Sequence, residues 1–285
     1  MIPKSFTKAM TWIRGNRLWP VAALLCCALV AGACCGGAET RSDTFQVGES
    51  PALIVVSEHG NIRLAVGDYG TIQVQATLRN PTRVQYQAQQ EGDTVRVTAQ
   101  VTGGFAMSAG CDLVITVPAA TDVELTTENG SIEVSGLAAT ADLATSNGKI
   151  VLREVSGTLI GHTSNGAIEV TDLDGSANLK TSNGAITVKD ARGSFGLETS
   201  NGSISFDGEM TAEGENRLET SNGSVTVKLQ GTPSVELDAT TANGQVTCAL
   251  PIVASLSEED HLVGTVGAGE AQLVIITTNG SITME

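Results

Sequence analysis

The side chains that could do chemistry are few and scattered. Three histidines, His59, His162 and His261, stand far apart in the chain. Catalysis needs groups that converge. The sequence holds no His-x-x-x-His pair, no Cys-x-x-Cys outside the leader, no glycine-rich phosphate loop ahead of a helix and no Gly-x-Ser-x-Gly elbow. The Gly-Gly-x-Gly-x-Asp nonapeptide of calcium-binding β-rolls is absent as well. No catalytic residue, metal ligand or cofactor site is therefore expected.

Six cysteines divide into two groups. Cys26, Cys27, Cys34 and Cys35 fall near the start, and only Cys111 and Cys248 lie in the body of the chain. The first 33 residues carry four basic residues (Lys4, Lys8, Arg14, Arg17) and no acidic one, and Leu18 to Ala33 is uncharged and largely apolar. A basic start, an apolar run and small residues at its end describe a secretory signal, 1–33. Ala31-Gly32-Ala33 directly before Cys34 resembles the lipobox of bacterial lipoproteins, which implies cleavage there and lipidation of Cys34. Ala-x-Ala also suits an ordinary signal peptidase, and the apolar run is long enough to stay as a spanning anchor. Each route exports the rest of the chain. The small, polar residues 34–43 read as a flexible tether.

Loss of the leader takes four of the sixteen basic residues, leaving 12 against 31 acidic residues, a balance of −19. Such a charge argues against nucleic acid or an anionic membrane surface as the main partner.

What must position any functional group is a repeat. Asn-Gly recurs at Asn129, Asn147, Asn165, Asn183, Asn201, Asn222, Asn243 and Asn279, at intervals of 18, 18, 18, 18, 21, 21 and 36 residues. A fixed period of this size marks a repeat architecture. Thr stands two places before every one of these asparagines. Ile or Val stands three places after (Ile132 to Ile282), and an apolar column lies four places before (Leu125 to Ile275). Alternation on both sides of the corner predicts two short strands per coil, each with one inward face. Asn-Gly between strands is also a hairpin signal, but a meander would separate equivalent residues by two strand spacings. In a solenoid they stack about 4.8 Å apart. Apolar rows then fill the interior, while Asn amides and Thr hydroxyls bond to their counterparts above and below, and Gly supplies a positive φ at each corner. The expected fold is all-β, a parallel β-solenoid with coils of about 18 residues.

Residues 44–121 alternate in the same way with looser turns. Ser57-Glu58-His59-Gly60-Asn61-Ile62 reads as an early, degenerate copy of the motif. Residues 122–285 form the regular part, interrupted at about 249–270 by an expected loop that leaves the stack and returns. Cys111 and Cys248 share the inward parity. They are expected some seven coils apart and reduced, since a disulfide needs Cα atoms within about 7 Å.

Thr-Ser-Asn-Gly-x-Ile-x-Val repeats, preceded by Ile115-Thr116-Val117-Pro118 and followed by Gly267-Ala268-Gly269 and Ile275-Ile276-Thr277-Thr278-Asn279-Gly280-Ser281-Ile282, resemble the bacterial "putative adhesin" domain. That is a domain of unknown function found in exported, often membrane-anchored proteins. The resemblance covers Thr44 to Glu285, implies a β-solenoid and brings no catalytic or binding residues with it. The expected role is a non-catalytic cell-envelope surface protein, an adhesin or scaffolding module held at the membrane by its N-terminal lipid or anchor. Its ligand would be an unidentified protein or polysaccharide. Two alternatives stand beside it. One is self-association through an open C-terminal strand, Ser281–Met284. The other is a polysaccharide-acting β-helix enzyme using outward groups such as Asp142, Glu169, Lys180, Glu198, Arg217, Glu219 and Asp238. Those groups sit on different coils, and Phe195 and Phe206, the aromatics of the regular coils, point inward.

Overall fold

A computed structural model of the 285-residue chain describes residues 38–103 and 108–285. The expected leader, the Cys34 lipidation site and the first part of the tether lie outside the described residues. Residues 38–43, expected in the tether, instead open a strand paired antiparallel along 71–79.

The first strands are β1 (Ala38–Gln46), β2 (Ala52–His59), β3 (Ile62–Val66), β4 (Thr71–Arg79), β5 (Val84–Glu91), β6 (Thr94–Val101) and β7 (Gly110–Val117). The middle contains β8 (Asp122–Asn129), β9 (Ile132–Ser135), β10 (Ala141–Thr145), β11 (Ile150–Thr163), β12 (Ile168–Thr181) and β13 (Ile186–Thr199). The C-terminal third holds β14 (Ile204–Met210), β15 (Asn216–Asn222), β16 (Val225–Leu229), β17 (Val235–Asn243), β18 (Val246–Cys248), β19 (Ile252–Ser257), β20 (His261–Val266), β21 (Ala271–Asn279) and β22 (Ile282–Met284).

Two stacks of strands run the length of the molecule. The strands ahead of each corner stack as β5, β6, β2, β8, β10, the second halves of β11, β12 and β13, then β15, β21, β17, β20 and β19. The strands after each corner stack as β1, β4, β7, β3, β9, the first halves of β11 to β13, then β14, β16, β22 and β18. All central pairings are parallel. Equivalent residues lie side by side: Ile150 on Ile168, Ile168 on Ile186, Ile186 on Ile204. This is the β-solenoid that the repeat predicts.

The inward rows are fully buried Ile, Leu and Val, with Phe195 and Phe206 packed at a centroid distance of 4.7 Å. In β11 to β13 the two expected short strands join into one of 14 residues that bends at a second corner. There Glu154, Asp172 and Asp190 adopt left-handed φ of 50–59°, and Gly157, Gly175 and Gly193 lie stacked at φ of 116–149°.

Four details differ from the sequence-based expectations. The glycines of Asn-Gly are not left-handed. A Cβ on Gly166 would sit 1.7 Å from the Gly148 carbonyl oxygen, and the same row repeats this contact at 1.8–2.1 Å elsewhere, so close approach of neighbouring coils is what demands glycine. The segment 249–270 is no loop. It contains the hairpin β19–β20, which lies antiparallel on β17 and closes that end of the stack. The strand that ends the chain is not an edge either, because β22 is paired on both sides, with β16 and β18. Finally, spatial order departs from chain order at both ends. The coil β2–β3 sits between β6–β7 and β8–β9, and the last coil, β21–β22, sits between β15–β16 and β17–β18. A simple repeat period cannot report this, since like coils are interchangeable in register.

Candidate functional surface

The corner row carries a continuous amide spine. Each asparagine donates from Nδ2 to Oδ1 of the next: Asn147 to Asn129, Asn165 to Asn147, Asn183 to Asn165, Asn201 to Asn183, Asn222 to Asn201, Asn279 to Asn222 and Asn243 to Asn279, all at 2.8–3.0 Å. The spine ends on His59, which occupies the Asn position of its coil and meets Asn129 Nδ2 through Nδ1 at 3.0 Å. An amide nitrogen only donates, so this ring nitrogen takes the acceptor's place in the row. All eight asparagines are exposed.

Behind the spine the threonines are buried. Their hydroxyls do not bond to one another. Each donates to the corner glycine carbonyl of the neighbouring coil, as Thr163 does to Gly148, Thr181 to Gly166 and Thr277 to Gly223, each at 2.9 Å. Side chain and backbone are thus used in one bond that ties coil to coil. Ser57 takes the threonine position beside Thr127 in the early copy, and its buried hydroxyl lacks a partner.

The outer faces are laced with ion pairs between adjacent coils. Lys149 meets Glu169 at 2.6 Å, Lys180 meets Glu198 at 2.5 Å, Lys228 meets Asp207 at 3.1 Å and Arg63 meets Glu133 at 3.2 Å. Arg217 and Glu219 pair within one strand at 2.8 Å, and His261 Nε2 lies 3.0 Å from Asp238 Oδ1. Of the seven outward groups that a β-helix enzyme could use, Asp142 alone is outside such a pair. It lies beside Glu124, and burial, then that neighbouring charge, raises its pKa. His162 titrates low because of burial and the nearby Lys180, with Glu198 opposing. Asp207 is held below the usual carboxylate range, chiefly by the hydrogen bond from Gln230. These carboxylates and cations are brought together as neutralising couples, not around a common point. Among the described residues no group of His, Cys, Asp and Glu is placed to hold a metal.

Both body cysteines are free. Cys111 is buried, with burial pushing its thiol pKa up to about 12, and Cys248 is half-buried in the row of Val227 and Met284. The two inserted coils, β2–β3 and β21–β22, widen their separation from seven to nine strand spacings, on the order of 40 Å.

A concavity interrupts the regular surface of the described residues near the C-terminal third. Where the coils lengthen to 21 residues, Arg192, Glu209, Gln230, Ser234 and Glu270 line a cleft of about 220 Å³ together with Met210, Leu229 and Val235. Arg192 and Glu209 pair across it at 3.4 Å. The sequence signal for it is the change of interval from 18 to 21.

A parallel stack with an amide spine and ion-paired faces defines a β-solenoid repeat protein. The chain belongs to the Toastrack DUF4097 family, which matches residues 52–285. No curated protein matches it. Among solved structures it is similar to one from Parabacteroides distasonis described as a putative lipid binding protein, at 17% identity over 88% of this chain and 97% of that one, with a TM-score of 0.50. A putative adhesin from Bacteroides fragilis aligns at 10% identity over 87% and 97% of the two chains, TM-score 0.39. A putative cell adhesion protein from Clostridium sporogenes aligns at 12% identity over 86% and 99%, TM-score 0.29. At these identities the likeness concerns the fold alone.

Proposed function

We propose that this protein is a non-catalytic surface module of the cell envelope, exported and held at the membrane through Cys34, and that it works by adhesion or scaffolding. The observation that carries this reading is the pairing on the outer faces. All but one of the charged groups that an enzyme would aim at one substrate atom are here paired along the face, with the neighbouring strand or within their own, which leaves broad, rigid, evenly spaced polar faces. Such faces suit contact with an extended protein or polysaccharide more than turnover of a small substrate. Antiparallel strands close both stacks at one end and the pre-corner stack at the other, which leaves only the three-residue β18 as a parallel edge and opposes growth by coil-on-coil addition. That disfavours open-ended assembly.

Two measurements test this. Replacing Cys34→Ser in the full chain and fractionating cells should release the protein from the membrane fraction. Unchanged retention contradicts lipid anchoring at Cys34. Incubating the purified full chain with acidic and neutral polysaccharides should give no new reducing ends, and sustained turnover would overturn the non-catalytic reading.

A further inference from the structure

The point where the chain leaves its anchor fixes which end of the stack lies next to the bilayer. Only residues 35–37 stand between Cys34 and Ala38, the first residue of β1, and four peptide steps reach at most roughly 14 Å. An uncleaved apolar run would leave the bilayer at the same place. β1 is the outermost strand of the post-corner stack, paired with β4 alone. The other end is distant, because from β5 to β19 the pre-corner stack crosses twelve strand spacings, roughly 58 Å.

Charge and one exposed aromatic distinguish the two ends. Eight acidic and five basic residues over 38–117 give a net charge of −3, eleven and five over 118–200 give −6, and twelve and two over 201–285 give −10. The acidic load rises away from the anchored end. Lying flat on an anionic bilayer, the stack would bring its most acidic third to the headgroups. Standing upright, it holds that third several Debye lengths away, each about 8 Å in physiological salt. Tyr69 offers a second contact at the near end. It is 90% exposed in the turn between β3 and β4, and Gly70 O of that turn accepts a hydrogen bond from Val47 N, directly after β1, at 2.9 Å. The anchor and Tyr69 therefore lie at opposite ends of the same terminal strand. A tyrosine ring, apolar with a polar tip, suits the headgroup layer.

We propose that the N-terminal end of the solenoid, β1 with the 67–70 turn, is a bilayer-contacting surface, and that the stack stands upright from it with the hairpin β19–β20 outermost. The partner is the lipid surface that holds the anchor. This rests on the membrane anchoring proposed above and adds the direction in which the protein faces.

The test uses protein expressed from the full chain, purified from membranes and reconstituted into vesicles of phosphatidylethanolamine and phosphatidylglycerol that contain a dansyl-headgroup lipid. Trp12 and Trp19, the two tryptophans of the sequence, are replaced by Phe, and a single reporter is introduced as Tyr69→Trp in one chain and Val253→Trp in another. Val253 is 79% exposed on β19, so neither reporter disturbs the core. Energy transfer from tryptophan to dansyl acts over a range short beside the stack. The Tyr69→Trp chain should therefore transfer several-fold more than the Val253→Trp chain. Equal transfer from the two, or more from Val253→Trp, overturns the upright contact and leaves anchoring standing. Failure of the chains to float with the vesicles overturns the anchoring, and this inference with it.

Discussion

The central coils, β8 to β13, and the C-terminal third obey the same rules of register but not the same rules of order. In the centre each 18-residue repeat lies on the one before it. Past Asn222 the chain skips a level, builds a further coil and an antiparallel hairpin, and then returns to fill the gap. The difference separates two kinds of information. Rows of Ile, Thr, Asn and Gly specify how one coil sits on another, and they do so equally for any pair of coils. Which coil sits where is decided by the connections and by the antiparallel strands that finish each end.

Mutations can probe the first kind of information and then the second. The largest effect should come from Gly166→Ala in the centre, where the new Cβ would lie 1.7 Å from a backbone oxygen. Backbone must move, so a loss of about 3 kcal/mol or more is expected from denaturant melts. Gly231→Ala, in the turn of the C-terminal third, meets nothing within 4 Å and carries only the strain of φ 73°, roughly 1 kcal/mol. Equal losses would show that the row does not need close approach. Next, Leu179→Ala in the centre and Leu273→Ala in the inserted coil, both fully buried, should each cost about 2–5 kcal/mol. A negligible cost for Leu273→Ala would mean the insert is not seated.

A smaller loss is expected from the spine. Asn183→Ala removes two amide donations and one acceptance, about 1 kcal/mol, whereas Asn243→Ala at the end of the row removes only its two donations and should cost less. The smallest effect is electrostatic. Because burial and Glu124 disfavour its charged form, Asp142 binds its proton more tightly in the folded state than in the unfolded chain. Its ionisation therefore subtracts stability above the folded pKa, and that loss disappears as pH falls through it. Asp142→Asn should accordingly raise the melting temperature at neutral pH and leave it unchanged in acid. An equal gain at both pH values would assign the effect to packing.

How much of the fold was legible in the residues alone depends on the same distinction. The Thr, Asn and Ile columns revealed the parallel stack and the inward faces of Phe195, Phe206 and Cys111, because period-2 alternation and an 18-residue interval leave few other folds. The interval of 36 before Asn279 signalled a departure but not its form, since a loop, an enlarged coil and a hairpin all occupy the same count of residues. The role of glycine was misassigned because sequence records that Gly is required, not whether conformation or proximity requires it. The threonine hydroxyls offered the same ambiguity: a like-to-like ladder and a bond to the neighbouring carbonyl demand the same residue. The outward carboxylates were visible as a scattered set. The pairing of most of them with cations on the same or the neighbouring strand was not, because it depends on side-chain reach along and across the stack.

The central claim is that like residues lie directly over one another, with the last coil between two earlier ones. Nuclear Overhauser contacts among the side-chain amides of Asn222, Asn243 and Asn279 test it most directly. The account predicts contacts from Asn279 to both others and none between Asn222 and Asn243. A direct contact between Asn222 and Asn243, with Asn279 beside neither, would contradict it.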